Sequence, residues 1–193
     1  MARVRGRDLR DAMAFVREGH GAEAAERVLQ AVDPDVRGAL ADLRDVEWYD
    51  LGLLQRFLVT AGTLLAGNDE DFYRRQGFFA GQRQKAAFIG PMVSEPEVRM
   101  KMAPTVWRMF YDVGRLVVTG QTAREATSQI WDFPATRELC ARFRGIWEGI
   151  ISEGVRRVAE ERRCVRRGDP CCELYVHPPP AGGGPGDPRA EGA

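Results

Sequence analysis

Apolar residues recur every three or four positions through the first half of the chain, with polar residues between them. Residues 8–17 put Leu9, Met13 and Val16 on one face, the spacing of an amphipathic helix. Gly19-His20-Gly21 ends that segment, and Ala25, Val28, Leu29 and Val32 mark a second helix over 22–32. Asp33 is placed to cap a third, with Pro34 at its first position. Asp50 caps the next, whose stripe runs through Leu53, Leu54, Phe57, Leu58, Ala61 and Leu65 to Gly67. Asn68-Asp69 restarts the chain into a helical run that Gly90-Pro91 stops. A further helix is predicted over 95–113, burying Val98, Met102, Val106, Met109 and Phe110.

The period then shortens. RLVVTG (115–120) and EATSQIWDF (125–133) have strand composition and a polar turn between them. A helix follows over 136–154, then a strand candidate VRRVAEERRCV, a Gly168-Asp169-Pro170 turn and a last strand CCELYV. The expected fold class is α+β: a helical part, residues 1–113, followed by a small antiparallel sheet of two hairpins with an intervening helix, residues 114–177. Together they form one domain. Residues 178–193 are rich in Pro and Gly, hold no large apolar side chain, and are expected to be disordered.

Composition narrows the function classes. The 193 residues are enough for one ordinary domain with a real core. Hydrophobic content of 44% and charged content of 29% fit a soluble globular protein. Lys and Arg total 28, as do Asp and Glu, so the net charge is zero. That balance argues against a nucleic-acid binder and gives no bulk attraction to an anionic membrane. No run is long enough to span or insert into a bilayer, and the charged N-terminus lacks the apolar core of an export signal. The expected location is the cytoplasm. Arg supplies every basic residue except Lys85 and Lys101, a sign of a GC-rich, bacterial source.

Three of the four cysteines, Cys164, Cys171 and Cys172, crowd one turn, and Cys140 lies one helix upstream. In a reducing compartment such a cluster points to metal or chemistry before disulfides. Cys164 and Cys172 lie roughly symmetrically about Gly168 and can face each other across the hairpin. Glu161 can join them through a local bulge. Cys140 sits on a helix that must pack on the sheet to bury Phe143, Ile146 and Ile150. Three thiolates and a carboxylate can close a tetrahedral zinc site. Strand alternation turns Cys171 to the other face. Spacing alone also allows plain buried thiols.

From Cys140 to Val176 the chain resembles the four-vinyl-reductase domain family. The resemblance rests on Cys140, Gly145 and Gly149 on the helix, and on Glu161, Cys164, Gly168 and Cys172 in the hairpin. The same pattern is similar to the sensory domains of bacterial aromatic-responsive transcription activators. In those relatives the matching residues hold zinc, which implies a structural zinc at Cys140, Glu161, Cys164 and Cys172. More widely, residues 1–177 resemble the ligand-binding fold of nitric-oxide signalling and Golgi transport proteins. The N-terminal half also resembles an uncharacterised myxobacterial paralogous family. Heme-binding members of the wider superfamily carry a proximal His and a Tyr-x-Ser-x-Arg motif. Here that motif is absent and the only histidines are His20 and His177, so no heme is expected.

A sensor of this type would place its pocket between the helix before the sheet and the first hairpin. Trp107, Phe110, Tyr111, Trp131, Phe133, Phe143 and Trp147 fall in those elements and suit a small hydrophobic or aromatic ligand, although large aromatics also fill ordinary cores. Gly77 and Gly81 allow close backbone approach, either inside the chain or at a homodimer seam. The Arg pairs at 156–157, 162–163 and 166–167 read as a solvated edge that discourages strand pairing. The chain has no phosphate-binding loop, dinucleotide-binding glycine turn or nucleophile elbow, and no enzyme activity is expected. The resulting expectation is a sensory, small-molecule-binding module with a structural zinc and output through a protein partner. The alternative is an assembly or adaptor protein that uses the fold as a dimerisation scaffold.

Overall fold

The computed structural model describes residues 1–89, 96–122, 125–152 and 156–179. The expected stop at Gly90-Pro91, the helix end at Gly154 and the tail from 180 onward lie outside the described residues. The chain runs β1 (Arg3–Arg5), α1 (Gly6–Ala31), α2 (Pro34–Ala41), β2 (Trp48–Asp50), α3 (Leu51–Ala66) and α4 (Glu70–Gln84). A π-helical turn, Lys85–Ile89, follows. Then come α5 (Pro96–Phe110), β3 (Arg115–Gln121), β4 (Ala126–Trp131), α6 (Arg137–Ile151), β5 (Val158–Arg163) and β6 (Cys172–His177). This is the expected α+β arrangement. The second half closes into one antiparallel sheet of order β3-β4-β6-β5.

Local chemistry sets the boundaries. Asp50 Oδ1 accepts from the Gly52 amide at 2.9 Å, Asp69 Oδ1 from Asp71 at 3.2 Å and Thr136 Oγ1 from Leu139 at 3.3 Å. Each satisfies an amide that the first helical turn leaves open. Asp33 makes no such cap; its carboxylate faces Arg56 of α3 instead, at 3.5 Å. Gly21 adopts φ 86°, ψ 167°, so α1 is two helical arms joined at a kink. Only glycine takes that conformation without strain.

Two elements depart from the hydrophobic pattern. β1 and β2 pair through Arg3–Asp50, Val4–Tyr49 and Arg5–Trp48. Their strand character comes from this pairing and from Arg5 stacked 3.8 Å from the Trp48 ring centroid; three-residue segments such as Arg-Val-Arg and Trp-Tyr-Asp are too short to carry a period of their own. α5 is rolled relative to its expected stripe. Met100, Ala103, Val106, Trp107 and Phe110 are buried, while Val98 and Met109 are exposed. The cause is Trp107, whose large ring takes the inward position against Phe133 and Phe143.

The tightest contact in the molecule is α4 on α6. A side chain at Gly77 would overlap the Arg142 carbonyl, and one at Gly145 would overlap that of Arg74. Gly81 and Gly149 continue the same seam one turn on. The glycine pair therefore serves packing inside the chain and is not available as a dimer seam. Among the described residues no helix is long and apolar enough to cross a membrane.

Candidate metal centre and adjoining cavity

Cys140, Glu161, Cys164 and Cys172 converge. Each offers a ligand atom, and these atoms lie within 4.8 Å of one another. Cys140 stands in the first turn of α6, and Cys172 opens β6 opposite Ile130 of β4. On β5, Ala159 pairs with Val176 and Glu161 with Leu174, so Glu161 faces the core by register. The pairing then shifts between Glu161 and Arg163. That extra residue carries Cys164, three positions after Glu161, onto the same face. The bulge thus re-aims Cys164, whereas the sequence pattern assigned it to Glu161. The Cys164 amide donates to Asp169 Oδ2 at 2.8 Å, and its carbonyl accepts from Arg167 at 2.8 Å. Gly168, at φ 89°, closes the turn.

The spacing of the sulfurs is informative. Cys164 Sγ lies 3.7 Å from Cys140 Sγ and 3.8 Å from Cys172 Sγ. A disulfide would need about 2.05 Å. Tetrahedral metal–thiolate bonds of about 2.3 Å put neighbouring sulfurs about 3.8 Å apart. Glu161 Oε1 is buried with no hydrogen-bond partner, while its Oε2 accepts from Arg167 at 3.0 Å. A buried carboxylate oxygen is costly when left unpaired, and this one belongs to the cluster.

The thiols share protons unequally. A hydrogen bond from Cys140 pushes the Cys172 pKa down to about 6, against the opposing effect of burial. The same bond, with burial and the Glu161 carboxylate, pushes Cys140 far up. Burial raises Cys164. Cys171 is fully buried outside the cluster, and burial raises its pKa too.

The expected pocket aromatics separate into three groups. Trp107, Phe110, Tyr111, Phe143 and Trp147 line a cavity of about 40 Å3 between α5 and α6. Phe133 lines a smaller space of about 10 Å3, shared with Cys140, Glu161 and Cys172. Trp131 stands on the other face of β4, beneath Arg115. The inward rings pack on one another, with Phe133 and Phe143 centroids 5.2 Å apart.

A buried polar network borders this cavity, and the hydrophobic pattern did not reveal it. Arg142 of α6 is fully buried. It donates to Asp8 Oδ1 at 2.6 Å, Tyr111 Oη at 2.8 Å and Gln76 Oε1 at 2.6 Å. Tyr111 in turn donates to Asp8 Oδ2 at 2.5 Å. Burial drives the Tyr111 pKa well up, so it remains a phenol. The available signal was a charge inside an apolar stripe: Arg142 lies three residues from Leu139 and four from Ile146.

No family model and no curated protein matches the chain. Solved structures do. An Fe(II) unliganded H-NOX protein from K. algicida aligns with a TM-score of 0.64 at 10% identity, over 91% of this chain and 96% of that one. An H-NOX protein from S. oneidensis in the Fe(II)NO ligation state aligns with a TM-score of 0.66 at 13% identity, over 91% and 99%. A structure probing heme distortion in the H-NOX family aligns with a TM-score of 0.61 at 15% identity, over 89% and 92%. The chain has the fold of these proteins, in line with the wider resemblance to nitric-oxide signalling domains. The four-vinyl-reductase and myxobacterial resemblances gain no support from the comparisons.

These structures correct the cofactor expectation. Zinc was expected and heme set aside, yet the solved representatives of the fold include iron- and heme-bearing proteins. Absence of the Tyr-x-Ser-x-Arg motif is therefore no ground for setting heme aside, and zinc does not stand in its place. A heme seat makes a specific demand on the side chains around it. Its iron needs an axial ligand such as His, Cys, Met or Tyr. His20 packs against Phe15 and Phe72, and His177 stacks on Tyr175. Neither lines the α5–α6 cavity, no Cys or Met is among its lining residues, and the Tyr111 hydroxyl is committed to Asp8 and Arg142. In this arrangement these groups do not fit a heme.

Proposed function

We propose that the chain is a non-catalytic sensory domain that binds a small apolar or aromatic molecule between α5 and α6 and passes its output to a protein partner. A thiolate-preferring metal ion at Cys140, Glu161, Cys164 and Cys172 fixes the geometry of that site. One observation carries the reading: α6 supplies both Cys140 to the four-residue cluster and Phe143 and Trp147 to the cavity wall. A filled metal site would tie the start of α6 to the last hairpin, and so hold the wall in register.

The cavity is small, so a ligand larger than water must displace aromatic side chains from one another. Such a ligand stabilises the protein by mass action. The expected result is a concentration-dependent rise in Tm with small aromatics such as phenol or toluene, absent in Ala103→Phe, which fills the cavity. A panel of such compounds that leaves Tm unmoved contradicts the reading.

A further inference from the structure

The α5–α6 cavity has one polar feature that its aromatic walls do not explain. Its lining is apolar apart from the indoles of Trp107 and Trp147, the Tyr111 phenol and the Gln84 amide. An indole only donates, and that of Trp107 is taken up by the Val113 carbonyl at 3.2 Å. Tyr111 Oη donates to Asp8 Oδ2 at 2.5 Å and accepts from Arg142 at 2.8 Å. Gln84 differs. It is the last residue of α4, just before the π-helical turn, and it is only 3% exposed.

Asp8 fixes which way the Gln84 amide faces. Asp8 Oδ1 already accepts from Arg142 at 2.6 Å, so the Gln84 atom 3.2 Å from it is the donating NH2 group. The Gln84 carbonyl oxygen is therefore turned away from Asp8. Among the described residues Oε1 accepts no hydrogen bond, and it is not sealed in protein as the unpaired Gln76 Nε2 is. The open space beside it is the cavity that Gln84 lines. A buried amide oxygen without a donor costs free energy, and a donor carried in by a ligand recovers it.

Resting on the α5–α6 cavity as the ligand site, we propose that Gln84 sets its specificity. The cavity takes a compact apolar ring that carries an N–H or O–H donor, with the ring against Trp107, Phe143 and Trp147 and the donor on Gln84 Oε1. Asp8 is a positioning residue, because its bond to the NH2 group holds the amide in this orientation.

Calorimetric titration of the full chain with aniline and toluene at neutral pH tests this. The two rings match in size, are both uncharged, and differ by an amino group against a methyl. Both are expected to bind wild type. Gln84→Met keeps the length of the side chain and removes the acceptor. It should weaken aniline about fivefold, the scale of one neutral hydrogen bond, and leave toluene unchanged or tighter. A merely structural role for Gln84 would move both ligands by the same factor. The proposal is overturned if Gln84→Met changes the two affinities equally, or if toluene binds wild type and aniline does not; in either case the cavity remains a ligand site. Failure of both rings to bind wild type overturns this proposal together with the proposed function. Should Gln84→Met not fold, crystals of wild type with aniline decide. An amine nitrogen within about 3.2 Å of Gln84 Oε1 supports the assignment, and an amine turned elsewhere overturns it.

Discussion

Arg142 is the residue whose replacement should cost most. Its guanidinium is fully buried and meets Asp8, Tyr111 and Gln76. Removing one partner of a buried ion pair leaves the other charge uncompensated, at a cost of about 3–5 kcal/mol. Arg142→Met should lose stability on that scale in urea denaturation. Asp8→Leu combined with Arg142→Met should recover part of the loss, because no buried charge then remains. A double mutant as unstable as the two single changes added together would contradict this coupling. Residue chemistry was partly legible in the sequence. Cysteines crowding a turn announced the cluster, because few other roles gather thiols. Arg142 and Asp8 were hidden, since their partners lie 134 positions apart and hydrophobic periodicity does not report a charge paired inside the core.

At the scale of elements, the α4–α6 seam sets how the helical part meets the sheet. Gly145 has the Arg74 carbonyl where a side chain would be. Gly145→Val should destabilise by about 3 kcal/mol or more, since overpacking at a backbone contact cannot relax through a side chain. Gly38 has open space around it, so Gly38→Ala should be neutral or slightly stabilising within a helix. A Gly145→Val protein as stable as wild type would remove the seam from the account. Helices with strong periodicity and caps were readable: α3 begins where Asp50 caps it. The roll of α5 was not, because Trp107 competes with Val98 and Met109 for the inward face and only tertiary contact decides the winner. β1 and β2 were unreadable for a related reason: three-residue strands have too little period to detect.

Across the whole molecule, α6 joins the cluster to the cavity, and both sites should respond together. Stripping metal with a chelator is expected to lower Tm and to weaken any aromatic ligand, because metal-site energy is folding energy for the corner it ties. Acid should do the same, because protons compete with a metal ion for the three cysteine sulfurs. Metal retention that is flat from pH 8 to pH 5 would contradict this. The most direct measurement is elemental analysis of the purified chain beside Cys172→Ser and Cys171→Ser. The account predicts one metal ion per chain in wild type and in Cys171→Ser, with loss of metal and of thermal stability in Cys172→Ser. Metal-free wild type, or a Cys172→Ser protein with full metal and unchanged Tm, would contradict it.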